Sequence, residues 1–176
     1  MRDTRHHFRT RSYPSICSIQ QLSIKGIQTM GLLDSLFGGM EGSSKLTPQE
    51  SFAGILMGAS GCDGHIAEEE VDGLITCLVR MKLFQRYDGR QYGKTLNKLH
   101  GIMKKKGVEA LIDSCTETLP KELAKAAFAN ACDIVLADGV VEPDEKAFID
   151  RLREKLQIDG KTAKTIAEVM VIKNKG

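Results

Sequence analysis

Two stretches 75 residues apart carry the same pattern, and they restrict the chain more than any other feature. Cys62-Asp63-Gly64-His65-Ile66-Ala67-Glu68-Glu69-Glu70 is echoed by Ala137-Asp138-Gly139-Val140-Val141-Glu142-Pro143-Asp144-Glu145. Both read Asp-Gly, a β-branched residue two positions after the glycine, then an acid followed by Glu, and each lies between segments of helical spacing. The glycine suits the left-handed conformation that ends one helix. The β-branched residue turns to the core, and the acids fall in the first turn of the next helix, where its dipole favours negative charge. This is one helical hairpin used twice.

The remaining segments agree with a helical fold. Thr47-Pro48-Gln49-Glu50 is a helix start: Thr47 accepts from the Glu50 amide, Pro48 fits the first turn, and Glu50 reaches back to the cap. Pro48, Pro120 and Pro143 each stand just ahead of a segment with helical apolar spacing, where the missing N–H costs nothing. The spacing predicts helices over 48–60, 68–81, 91–105, 108–118, 120–137, 143–156 and 160–173. No segment alternates with period two for long enough to make a strand. The expected fold is all-α, a compact bundle of about seven helices.

Composition narrows the function classes. A length of 176 residues with 41% hydrophobic and 27% charged residues suits one globular domain plus a tail and excludes a large multidomain enzyme. Absence of Trp and an aromatic content of 5% argue against sheet-rich sandwiches and single-strand stacking platforms, and predict an aliphatic core. The net charge of +2 is unevenly placed: residues 1–29 hold five basic residues and one acid, and the rest holds 20 basic and 22 acidic residues. A slightly acidic body excludes nucleic acid as the expected partner. Its one basic run, Lys104-Lys105-Lys106, reads as a solvated helix end.

The five cysteines (Cys17, Cys62, Cys77, Cys115, Cys132) are odd in number, widely spaced and without a Cys-x-x-Cys. Neither a disulfide framework nor a thiolate zinc cage is signalled, and reduced thiols in a cytoplasmic protein are expected. No apolar run approaches the roughly 18 residues of a membrane-spanning helix.

Residues 1–29 form a basic, Ser- and Arg-rich extension. It reads either as sequence upstream of a start at Met30 or as a transit-type segment, and a start at Met30 would also expose an N-myristoylation pattern. Residues 30–45 combine a short apolar segment, Leu32–Phe37, with a Gly/Ser-rich link. The helical domain is expected over 46–176.

The spacing within the turns also matches the second half of an EF-hand calcium loop. The first half is missing: its first and third ligand positions fall on Ala59 and Gly61 in one copy and on Ile134 and Leu136 in the other, none with a side-chain oxygen. Asp133, at the same helix end as Asp138, adds one oxygen. Acids at these turns have two roles open to them, capping helices or holding a cation. Carboxylates without thiolate or imidazole partners favour Ca²⁺, Mg²⁺ or Mn²⁺ over zinc. Cys62 and His65 make a Cys-x-x-His half-site with no second pair, and His100 reads as a helix-surface or core-edge residue. Two of the four histidines lie in the tail, no phosphate-cradling loop or dinucleotide fingerprint is present, and Cys62 and Cys132 each precede an Asp that disfavours thiolate. A non-enzymatic protein is expected.

On these residues the chain resembles the tellurite-resistance TerB-like domain family, which also occurs in the N-terminal part of a membrane-anchored DnaJ-type co-chaperone. The likeness covers about residues 46–173 and rests on the paired Asp-Gly turns, on the stretch Ala137–Lys146 and on the spacing between the copies. Gly31–Gly38 looks like the family's short N-terminal segment. The resemblance implies a helical bundle with two pseudo-twofold-related halves, whose acids converge on a surface patch that binds divalent metal. It also implies a role in tellurite and other chemical stress responses with protein partners, membrane-associated ones among them. Carried over by position, Asp63, Glu69 and Glu70 match the first motif, and Asp138, Asp144 and Glu145 the second. The chain departs from the family at Cys62, where Ala more often precedes the Asp. Two readings follow: a metal-responsive docking module, or a metal-independent interaction domain whose acids are helix caps.

Overall fold

The computed structural model describes residues 45–61, 68–137 and 142–175, with backbone alone at 68–70. The chain divides into two units, Met1–Gly42 and Ser43–Gly176, and all described residues belong to the second. Among them are six α-helices and no strand: α1 (Pro48–Ser60), α2 (Glu68–Val79), α3 (Gly89–Thr118), α4 (Ala124–Val135), α5 (Pro143–Lys155) and α6 (Gly160–Lys173). Short 3₁₀ turns at Lys82–Phe84 and Lys121–Leu123 precede α3 and α4.

The helices begin where short-range chemistry starts them. Thr47 Oγ1 accepts from the Glu50 amide at 3.2 Å and Glu50 Oε2 accepts from the Thr47 amide at 2.8 Å, a reciprocal cap that satisfies two otherwise orphaned donors. Asp88 and Gln91 repeat it at the start of α3, both bonds at 2.8 Å. At α6, Asp159 Oδ1 accepts from the Thr162 amide at 2.9 Å. Helix α5 stops in a two-bond reversal, Ile158 N to Arg153 O and Gln157 N to Glu154 O, both 3.0 Å, with Gln157 at φ 55°.

Helix α1 is the centre of the bundle. Every residue from Ser51 to Ala59 is buried, so it has no solvent face, the condition of a helix enclosed by others. It packs on α2, α3 and α4; α4 in turn packs on α5 and α6, and α3 on α5. Gly54 and Gly58 set the closeness of α1 to α3. A methyl group at Gly54 would collide with Cys115 Sγ and lie 3.1 Å from Leu99 Cδ2, and one at Gly58 would lie 2.6 Å from Ile112 Cδ1.

At 89–118 the structure keeps the expected division into two helical segments. The two expected segments, 91–105 and 108–118, belong to one element interrupted at Gly107, where φ is 86° and ψ 167°, a conformation essentially restricted to glycine. Lys104, Lys105 and Lys106 are exposed just ahead of this break.

The core is mainly aliphatic, as expected, with aromatic residues added to it. Phe52, Phe84, Tyr92, Phe128 and Phe148 are all buried. Phe84 sits among three rings, 6.3 Å from Phe52, 5.2 Å from Tyr87 and 6.0 Å from Tyr92. Four of the six described aromatic residues, Phe52, Phe84, Tyr87 and Tyr92, meet between α1 and the start of α3.

Candidate functional site

The helices flanking the repeated turns keep the spacing of the sequence repeat. Ser60 and Val135 end α1 and α4, and Glu68 and Pro143 begin α2 and α5, so both ends of each connection are spaced by the repeat of the sequence. Glu69 and Glu70 are therefore the second and third residues of α2, as Asp144 and Glu145 are of α5. Asp63 and Asp138 lie outside the described residues, as do Cys62, His65 and the side chains of Glu69 and Glu70.

The two described acids of the set have different surroundings. Glu145 Oε2 accepts from the Glu142 amide at 2.9 Å, closing the first turn of α5. Asp144 is exposed at the rim of a groove of about 160 Å³ between α3 and α5, floored by Ile112, Phe148 and Leu152. Ion pairs Glu109–Arg151 and Asp113–Lys155 bridge the same two helices. Asp133 is committed elsewhere. Its two carboxylate oxygens lie 2.7 and 2.9 Å from Lys173 Nζ, while Asn174 Nδ2 donates to the carbonyls of Asp133 and Leu136 at 3.4 and 3.2 Å. The end of α6 thus caps the last carbonyls of α4, immediately before the second Asp-Gly turn. Among the described residues no three His, Cys, Asp or Glu side chains gather as a cation site would require, so the described acids by themselves do not fit a metal.

Lys173 and Asn174 are the residues that sequence reasoning missed. Their partners lie 38 to 41 positions away, and no local pattern marks such a contact. His100, by contrast, is on the surface as expected.

The three described thiols, Cys77, Cys115 and Cys132, are held in their neutral form. Burial, reinforced by the Glu50 charge, pushes Cys115 up to about 12, and burial with the Asp133 charge does the same to Cys132. Cys77 is raised by burial and by Asp133, and its Sγ lies 3.6 Å from Asn130 Oδ1. A thiolate nucleophile needs the opposite surroundings, a cation or a helix N-terminus.

The family model for tellurite resistance protein TerB matches residues 49–168, from the first turn of α1 into α6, including both repeated turns. Among curated proteins and solved structures nothing matches the chain. A match over most of the chain that spans both hairpins leaves one assignment: this chain belongs to the TerB tellurite-resistance family.

Proposed function

We propose that the chain is a non-catalytic module of the tellurite and chemical-stress response, acting in the cytoplasm. In this reading the acids of its repeated turns take a divalent cation, Ca²⁺, Mg²⁺ or Mn²⁺ before Zn²⁺, and the neutralised face docks a protein partner. The family match across both turns carries this reading. Asp63, Glu69, Glu70, Asp138, Asp144 and Glu145 would supply oxygen donors, the class these cations prefer. The buried, protonated Cys115 and Cys132 favour a binding role over thiol chemistry.

One observation favours a second reading, in which the acids stabilise the turns and partner docking needs no metal: Glu145 already serves as a cap at 2.9 Å. Calorimetric titration of the chelator-treated full chain with each of the four cations separates the two. The Asp138→Asn/Glu145→Gln variant is the comparison, because Gln at this position retains the cap while removing the charge. Saturable binding that disappears in the variant supports the metal module. No binding below about millimolar, the weak end for protein calcium sites, leaves the acids as scaffold.

A further inference from the structure

Charge within the body is segregated along the chain. Residues 80–106 hold nine basic residues and one acid, Asp88, which leaves 11 basic and 21 acidic residues in the rest of 30–176. Asp88 is itself occupied, its carboxylate accepting from the Gln91 amide at 2.8 Å. The break at Gly107 marks the limit of this region. After it the charged residues of α3 are Glu109, Asp113 and Glu117, and the first two are taken up by ion pairs with Arg151 and Lys155 of α5. Before it, Lys98 meets Glu50 at 2.9 Å. Arg86, Arg90, Lys94, Lys104 and Lys106 are exposed and form no ion pair with a described residue.

Helical phase gathers three of these cations on one line. Arg90, Lys94, Asn97, Gly101 and Lys104 recur at alternate steps of four and three, the spacing of a single helix face, while Tyr92, Leu96, Leu99 and Met103 are buried on the opposite side. Gly93 and His100 border the line, and a methyl group at Gly93 or Gly101 would meet nothing within 4 Å. The outer face is therefore open and basic, with neither an acid nor an apolar side chain on it. From Arg90 to Lys104 it runs about 21 Å, the span of about seven extended residues.

These features select the occupant. An amphipathic helix needs apolar anchors to meet its own, and this face offers none. Duplex nucleic acid, with a charge every 1.7 Å or about that, would run past the strip onto a surface where acids outnumber bases. Single strands stack on exposed rings, but Tyr92 is buried and the half-buried Tyr87 packs on Phe84. A short, extended chain of carboxylates fits both the charge and the length. We propose that the outer face of the first half of α3 docks an extended acidic segment of a partner protein, with Arg90, Lys94 and Lys104 pairing its carboxylates. This contact needs no metal and lies on a different element from the acids of the repeated turns, so it is independent of the function proposed above.

The test is fluorescence anisotropy of labelled heptaglutamate titrated with the full chain at low and high salt. Binding is expected, and it should weaken as salt screens the exposed pairs. Arg90→Ala/Lys94→Ala/Lys104→Ala should weaken it about tenfold. Alanine keeps these exposed positions helical, so the loss is not one of folding. Lys121→Ala/Lys125→Ala/Lys161→Ala, an equal loss of charge on exposed residues of other elements, should leave binding within about twofold. So should Arg5→Ala/Arg9→Ala/Arg11→Ala in the basic extension. Amide signals of the isotope-labelled chain should shift over 90–104 on addition of the peptide. That pattern supports the proposal. No binding, equal weakening in either control variant, or shifts confined to other segments overturns it. Tighter binding of a length-matched oligothymidylate, lost in the α3 variant, would also overturn it by assigning the face to nucleic acid. Self-association lost in the α3 variant would overturn it too, assigning the face to the acids of a second copy.

Discussion

Ser51 Oγ and Thr118 Oγ1 lie 2.7 Å apart, joining the first turn of the central helix to the last turn of α3 across 67 residues of chain. Ser51 is fully buried. Its hydroxyl also reaches Thr47 O at 3.0 Å, and Thr118 reaches Ser114 O at 2.7 Å and Cys115 O at 3.4 Å, so two hydroxyl protons serve four contacts. Removing either hydroxyl leaves the other with a carbonyl to donate to. Ser51→Ala and Thr118→Val should therefore each cost only about 0.5–1.5 kcal/mol. The double variant should cost less than the sum, which urea unfolding of the four proteins checks.

Gly54→Ala should destabilise although alanine is the better helix former by about 1 kcal/mol, because the added methyl meets Cys115 Sγ and Leu99; overpacking of this kind costs about 1–3 kcal/mol. Gly58→Ala should cost less, since the atom it meets is the terminal methyl of Ile112, which can rotate away. Adding Cys115→Ala to Gly54→Ala should recover part of the loss. Thermal melts would show the order.

Two backbone positions predict opposite signs. Gly107, at φ 86° and ψ 167°, should lose about 1–3 kcal/mol on substitution by Ala. Gln157, at φ 55°, is an L-residue in the left-handed region, and Gln157→Gly should gain about 1 kcal/mol. Chemical denaturation of both variants tests the pair.

Glu50 gives a pH signature. Burial pushes its carboxyl up, but Lys98, 2.9 Å away, and the amide and hydroxyl of Thr47 outweigh burial and hold it below its ordinary value. A carboxyl depressed in the folded state contributes stability that is fully present above its unfolded value and is lost as pH falls through the folded one. Stability should therefore decline as pH falls from the ordinary glutamate range to below it. Glu50→Gln should flatten that decline, read as unfolding free energy against pH.

Native alkylation at mildly alkaline pH, followed by mass spectrometry, should label Cys115 and Cys132 only on unfolding, because burial with a nearby carboxylate raises both thiols to about 12. Cys77, partly exposed and raised for the same reasons, should react first of the three but slowly. Rapid native labelling of Cys132 would reopen a thiol-based activity.

The sequence by itself determined what is decided within a few residues. The Thr47 to Glu50 cap, the helix starts at Pro48 and Pro143, the all-helical character and the equal length of the two turn connections are all short-range, set by backbone donors, proline geometry and apolar spacing. The Cys132 thiol was legible only in part: burial, the larger cause of its raised value, is tertiary, while its charged neighbour is the next residue. Tertiary structure decided which helix is enclosed, because Ser51 to Ala59 are buried by α2, α3 and α4 together and no single segment encodes that. It gathered three rings around Phe84 from a chain poor in aromatics. It also handed Asp133, a candidate ligand by position, to Lys173 from the far end of the chain. Caps and periodicity act over one or two turns, whereas packing couples residues tens of positions apart, and only closing the bundle selects among the contacts that local structure permits.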